Sequence, residues 1–269
     1  MNFLFNWWRR PLAKNGSVYV TEKFGVRSLH ISSETIQSSM RIARPNDLEL
    51  AYTRSMMGFR LFGPAPRRVL LVGLGGGSLA KFIYHRMPET DCEVLEINPD
   101  VVTVARRWFQ VPAGNERFMI RVCDGAEFVA RPGPGYDAIL VDGYDGDSQV
   151  EALSTRAFYD ACRRRLDAHG VLVVNLWGSD RKFNDAVERI EAAFPAGTLC
   201  LPAEKPGNVI TFAFRDSLGN PRWDGLEARA QALEARYGLE FGRFVRGLRK
   251  MNPCDGERLY ISDGVTAGP

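Results

Sequence analysis

Residues 69–78 read VLLVGLGGGS, an unbroken apolar run that stops at a cluster of glycines. Four apolar residues in a row, with no polar alternation, fit a strand covered on both faces, as in a parallel sheet flanked by helices. Glycines directly after such a strand and before a helix permit a tight turn and let a ligand lie close to the backbone. A glycine loop alone is a weak sign; its place between strand and helix gives it weight.

Outward from this stretch, strands and helices alternate. A helix over 79–87 leads to a strand at 92–97 (CEVLEI), a helix over 99–109 and a strand at 118–123 (FMIRVC). A helix beginning at Asp124 precedes the strand YDAILVD at 136–142. A helix over 155–166 ending at Gly170, the strand VLVVNLW at 171–177, a helix over 180–194 and two runs at 198–203 and 208–214 complete the pattern. Such alternation predicts an α/β fold with a parallel Rossmann-like sheet. The closing antiparallel pair is that of the S-adenosylmethionine-methyltransferase-type sheet. Upstream, three short runs rich in Val, Ile, Thr and aromatics between Val18 and Ile42 predict a small antiparallel β-domain, and Asp47 opens a helix reaching Leu61. The expected organisation is a tail (1–16), a small β-domain with a linking helix (17–62), a Rossmann-like catalytic domain (63–216) and a C-terminal helical tail (217–269).

Composition narrows the possible partners. The net charge of +3 over 269 residues is too small to argue for a nucleic-acid partner. The five cysteines form no CxxC pair, so buried reduced thiols are expected rather than disulfides or a metal site. The apolar start at Met1–Pro11 carries its arginines after the apolar run, opposite to a secretory signal, and no stretch approaches the roughly 20 apolar residues of a membrane span. The expectation is a cytoplasmic protein that neither crosses nor binds a membrane.

In an open α/β sheet, ligands bind beyond the carboxyl ends of the strands, and four such ends carry chemistry here. The first is the loop Gly73-Leu74-Gly75-Gly76-Gly77-Ser78. The second is Glu96, about twenty residues further on, where a carboxylate accepts hydrogen bonds from ribose hydroxyls. The third is Asp124-Gly125, where an acid can accept from the exocyclic amine of an adenine or cap the next helix. The fourth is Asp142 with Asp145 on a short loop, where two close carboxylates can bind a cation or take a proton. Together these define an adenosyl-binding core with Asp142 at its reacting end.

At these residues the chain resembles the spermidine/spermine synthase family of aminopropyltransferases over roughly 17–215. The resemblance implies transfer of an aminopropyl group from decarboxylated S-adenosylmethionine to an amine, with no tightly bound cofactor or metal. It aligns Gly73, Gly75, Gly76 and Gly77 with the family's glycine loop, Glu96 with its ribose acid, and Asp124-Gly125 with its adenine-side pair. It also aligns Asp142 and Asp145 with its D-x-x-D acids, Asp142 being the base. Gln37 looks like the glutamine near the sulfonium, and Tyr52 like the tyrosine of the Y-H-E-M segment. Family members are commonly oligomers, so a homodimer is expected, with Trp7, Trp8 and Trp223 available for an interface.

The departures fall on the acceptor side. Gly76 and Ser78 stand where the family's loop has Asp and Gly, and Thr53-Arg54 replaces His-Glu. Gly143-Tyr144 replaces Ser-Ser, and Asn175 and Trp177 replace the Gln and Glu of a Q-x-E segment. The amine site is thus expected to have lost acids and gained an arginine and aromatic bulk. Three other readings use the same residues: a methyltransferase taking intact S-adenosylmethionine, a nicotinamide-dependent oxidoreductase, and a non-catalytic adenosyl-binding protein.

Overall fold

Strands Ala13–Asn15 (β1), Val18–Lys23 (β2), Val26–Ile31 (β3) and Ser38–Arg41 (β4) pair antiparallel in sequence order. The computed structural model describes residues 13–15, 17–145, 148–203 and 207–261, with the backbone alone at 13–15, 145, 148 and 149. Helix Ala51–Met56 (α1) continues into a 3-10 turn over Met57–Leu61 and leads to the central sheet. There Arg68–Val72 (β5), Ser78–Arg86 (α2), Asp91–Glu96 (β6), Pro99–Trp108 (α3), Phe118–Val122 (β7), Gly125–Ala130 (α4) and Tyr136–Val141 (β8) alternate. A two-stranded ribbon of Tyr144–Asp145 (β9) and Ser148–Gln149 (β10) follows. Then come Arg156–Arg165 (α5), Leu166–Trp177 (β11), Phe183–Ala193 (α6), Thr198–Pro202 (β12) and Asn208–Phe214 (β13). Helices Trp223–Tyr237 (α7) and Phe241–Met251 (α8) follow, and an irregular segment over 252–261 ends the described chain.

The central sheet has the order β12-β13-β11-β8-β5-β6-β7. Its β5, β6, β7, β8 and β11 are parallel, and β13 runs antiparallel between β11 and β12. This is the expected Rossmann-like, methyltransferase-type sheet with the small antiparallel domain before it. The apolar run that opens it divides between two cores, because alternate side chains of a strand point to opposite faces. Val69 and Leu71 join one cluster with Val18, Leu29, Phe82, Phe109 and Phe241, while Leu70 and Val72 join another with Phe158, Tyr159 and Ile190.

Three expectations change. The helix expected from Asp47 begins only at Ala51, because the Arg54 guanidinium takes the carbonyls of Leu48 and Glu49 at 3.2 and 2.8 Å. The helix expected over 155–166 stops at Arg165, since Leu166 already pairs with Tyr136 in the sheet. The C-terminal segment is helical but is not a loose tail: Trp223, Leu226, Phe241, Phe244 and Leu248 are buried in the first cluster. Trp223 is only 3% exposed and its indole N–H donates to the Asp255 carbonyl at 3.0 Å, so it offers no interface. Trp7 and Trp8 lie outside the described residues. No described helix is long and apolar enough to cross a membrane.

The small β-domain is fastened to the Rossmann domain by a buried lysine. Lys81 on α2 is 1% exposed, and its ammonium donates to the carbonyls of Pro45 and Phe109 at 2.6 and 2.7 Å, with Met40 Sδ at 3.2 Å. Burial lowers its pKa to about 8. Between that value and the ordinary lysine range near 10.4, the unfolded chain holds a proton that the folded chain does not, so stability rises with pH there. Thermal melts should therefore show the wild type gaining on Lys81→Met as pH goes from 8 to 10. A constant difference between the two melting temperatures across that range would contradict the assignment.

Candidate active site

The carboxyl ends of β5, β6, β8 and β11 surround a cavity of about 530 Å³. The small β-domain and α1 close its other side through Ile31, Thr35, Ile36, Gln37, Leu50 and Tyr52. The glycine loop supports the cavity from below. Gly73 has φ +101°, and a Cβ there would run into the carbonyl oxygen of Asp142. Gly73 and Gly75 line the cavity; Gly76 and Gly77 do not. A Cβ on Gly76 would meet Ser38 Oγ at 2.7 Å and the Phe109 ring at 2.9 Å, and one on Gly77 would run into Val111. These two glycines shape the loop from behind.

Glu96, at the end of β6, is 9% exposed. Its Oε2 accepts from the Leu74 N–H at 2.9 Å and its Oε1 from the Asn98 N–H at 3.0 Å. Burial raises its carboxyl above the ordinary value, and the backbone N–H groups of Asn98, Leu74, Gly75 and Ile97 oppose that shift. The glutamate thus fixes the glycine loop while facing the cavity. Asp124 caps α4, its Oδ1 accepting from Ala126 N at 2.7 Å and Glu127 N at 3.1 Å, and it lines the cavity too. The capping and ligand-facing readings of this residue are therefore compatible. Around Asp124 the wall is apolar, with Ile97, Cys123, Val150 and Leu153. Ile97 lines the cavity there and stands 65% exposed, so its side chain is open to whatever occupies the cavity.

At the opposite end the Asp142 carboxylate is held from both sides. The Tyr52 hydroxyl lies 3.1 Å from Oδ2 and 3.2 Å from the Gln37 carbonyl, and Asn175 Nδ2 donates to Oδ1 at 2.9 Å. Burial pushes the Asp142 carboxyl up, and the hydrogen bonds from Asn175 and Tyr52 pull it partly back. Burial and the neighbouring Asp142 charge keep Tyr52 a neutral phenol. Asn208 Nδ2 donates to Asn175 Oδ1 at 3.0 Å, so the Asn175 amide must turn its Nδ2 to Asp142. The sequence reading missed Asn208. Its one signal is a polar residue at the head of the otherwise apolar run 208–214.

The expected acceptor side needs one correction. Arg54 does not enter the cavity: its Nε donates to Glu240 at 2.8 Å, and its charge is neutralised there. The expected aromatic bulk is present, since Tyr144 and Trp177 both line the cavity and the Tyr144 hydroxyl donates to the Asn175 carbonyl at 3.3 Å. Asp145 belongs to β9 by its backbone; its side chain, like residues Gly146 and Asp147, lies outside the described part.

A glycine loop under a cavity, a buried glutamate at the end of the neighbouring strand and a half-buried carboxylate at the far end make up a site of the kind that open α/β enzymes place beyond the carboxyl ends of their strands. The comparisons with known proteins sharpen that class. Residues 49–210 match the spermine/spermidine synthase domain. The polyamine aminopropyltransferase of Chromobacterium violaceum is 45% identical over 91% of this chain and 94% of its own length. That of Neisseria meningitidis serogroup A is 40% identical over 94% of this chain and 97% of its own. A probable spermidine synthase from Corynebacterium glutamicum shares the fold with a TM-score of 0.69 at 19% identity, covering 91% of this chain and 95% of that one. The chain belongs to the spermine/spermidine synthase family.

Proposed function

We propose that the chain transfers the aminopropyl group of decarboxylated S-adenosylmethionine to a small diamine, with Asp142 as the base. Aminopropyl transfer is the activity of the family to which the chain belongs. The observation that carries the assignment of roles is the Asp142 carboxylate, half-buried at the junction of the proposed adenosyl half and the aromatic half of the cavity and held by Tyr52 and Asn175. In this reading Glu96 receives the ribose hydroxyls, Asp124 the adenine amine, and Ile97 covers one face of the base. Gly73, Gly75 and Gly125 let the nucleoside lie against the backbone.

A free alkyl amine has a pKa near 10.4, so the nucleophile arrives protonated. Asp142 binds that ammonium and accepts its proton as the nitrogen attacks the carbon next to the sulfonium. The carbon–sulfur bond breaks, its electron pair stays on sulfur, and 5′-methylthioadenosine leaves. The donor is already activated, so most of the acceleration comes from holding nitrogen, carbon and sulfur in line. Asn175 and Trp177 are neutral, and in this reading the diamine's distal ammonium rests against the Trp177 and Tyr144 rings.

The methyltransferase reading is disfavoured by Asp142, since intact S-adenosylmethionine would bring its own carboxylate towards that acid. A homodimer in the cytoplasm completes the proposal, on the family resemblance alone. Initial rates with 1,4-diaminobutane and with butylamine test the acceptor. The diamine is expected to have the lower KM, and Trp177→Ala to raise that KM about 2- to 30-fold without changing the KM of the donor. A butylamine KM equal to that of the diamine, or methyl transfer from intact S-adenosylmethionine, would overturn the proposal.

A further inference from the structure

Two side-chain amides stand in line from the Asp142 carboxylate. Asn175 Nδ2 donates to Asp142 Oδ1 at 2.9 Å, and Asn208 Nδ2 donates to Asn175 Oδ1 at 3.0 Å. The direction of both bonds follows from the carboxylate end. An ionised carboxylate only accepts, so Asn175 must offer it the amide nitrogen and turn its oxygen the other way. That oxygen also only accepts, so Asn208 must meet it with its own nitrogen. Asn208 Oδ1 is thereby left as the outer end of the chain. It is not buried, and no described residue donates to it.

The surroundings of this oxygen suit a cation. Asn208 lines the cavity and lies directly across from Trp177, its antiparallel partner on β11. Tyr144, whose hydroxyl donates to the Asn175 carbonyl, lines the cavity as well. No described lysine or arginine lines it, so no positive side chain competes for the oxygen. Both amides turn their hydrogens towards Asp142 and their oxygens away, and hydrogen bonds aligned in this way polarise one another. The charge on Asp142 thus strengthens Asn208 Oδ1 as an acceptor. The two groups are no further apart than two hydrogen bonds and two amides, within reach of both ends of a short diamine.

We propose that Asn208 is a specificity-determining residue: its Oδ1 accepts from the distal ammonium of the acceptor, in an orientation that Asp142 imposes through Asn175. This rests on the diamine reading above, in which that ammonium lies against the Trp177 and Tyr144 rings. Rings attract the charge but accept no N–H bond as an oxygen does, and an ammonium has three hydrogens to place. Asn208 takes one of them. A single acid then serves both ends of the diamine, directly at the reacting nitrogen and through two amides at the distal one. A monoamine uses only the first of these contacts, and Asn175 is the positioning residue that joins them.

The test compares 1,4-diaminobutane with butylamine on Asn208→Leu and Asn208→Asp enzymes. In Asn208→Leu, which keeps the size and removes the amide, the diamine KM should rise about tenfold, the loss of one hydrogen bond to a charged group. The butylamine KM should stay within about twofold of wild type, since that amine makes no such bond. Equal change in both KM values would mean a structural role, and no change in either would mean the ammonium lies elsewhere; each result overturns the proposal. Asn208→Asp separates imposed orientation from simple attraction. A carboxylate attracts the ammonium but has no hydrogen for Asn175 Oδ1, so Asn175 is drawn from Asp142 and kcat should fall about tenfold. A lower diamine KM with unchanged kcat would overturn the part played by Asn175. Should Asn208→Leu fail to fold, Asn208→Ala carries the same comparison. Failure of the underlying diamine reading would be visible separately, as a wild-type enzyme that does not prefer the diamine to butylamine.

Discussion

Asp142→Asn is expected to lower kcat about 10²–10⁴-fold, the contribution of a positioned base, while 5′-methylthioadenosine binds as it does to wild type. The substitution keeps shape and removes the charge. Asn175 Nδ2 can still donate to the new Oδ1, as it does to Asp142 at 2.9 Å. The new Nδ2 would face the Tyr52 hydroxyl, which can accept from it and turn its own proton to the Gln37 carbonyl at 3.2 Å. Every polar group in the cluster thus keeps a partner, and the loss is confined to catalysis. The pH profile provides a second reading. Burial holds the Asp142 carboxyl above the usual aspartate range, so wild-type kcat should fall on the acid side at a higher pH than an exposed aspartate would give. The residual rate of the Asn variant should lack that acid limb. A variant with kcat within threefold of wild type, or one that keeps the limb, would remove Asp142 from the role of base.

The half of the cavity proposed above for the adenosyl group was legible as a geometry because local rules produce it. An apolar strand, a glycine loop and an acid at the next strand's end are contiguous or regularly spaced, and their geometry follows from the sheet alone. The acceptor half depends on which distant segments meet. Asn208 reaches Asn175 because β13 lies antiparallel beside β11, a register that no local pattern announces. Arg54 was expected in the amine site because of its place beside Tyr52. It points elsewhere because Glu240, at the start of α8, comes close enough to take its charge. The packing of α7 and α8 is a different case: Phe241, Phe244, Val245 and Leu248 recur at helical spacing and mark an apolar face, but what that face packs against, the first core cluster, is set by distant segments. Gly76 shows the converse, a loop residue readable as a lost acid whose neighbours are Ser38 and Phe109 rather than the open cavity.

Gly73→Ala is the second large effect expected, and it reaches both halves of the site through the backbone. Gly73 N donates to the Leu95 carbonyl and Asp142 N to the Val72 carbonyl, each at 2.9 Å, so the glycine loop and the Asp142 loop cross here in close contact. The residue sits at φ +101°, where a side chain is strained regardless of space, and its Cβ would also press on the Asp142 carbonyl oxygen. Neither obstacle can be relieved by a rotamer change, since both partners are backbone. Strain of this kind costs about 1–3 kcal/mol, and for a chain of this size that corresponds to a fall in melting temperature of roughly 2–12 °C. Any relief must move the loop that lines the proposed nucleoside site or move Asp142 from its place in the cavity. Calorimetric titration with 5′-methylthioadenosine should therefore show affinity reduced at least about tenfold, as expected when a close backbone approach is lost, and kcat should fall with it. Gly75→Ala provides the contrast: its φ is also positive at +53°, but a Cβ there meets only Ser38 Cβ at 3.6 Å and Oγ at 3.9 Å. It should be strained yet still bind the nucleoside better than the Gly73 variant. If Gly73→Ala binds 5′-methylthioadenosine like wild type and melts at the same temperature, the loop does not hold the nucleoside in the way described.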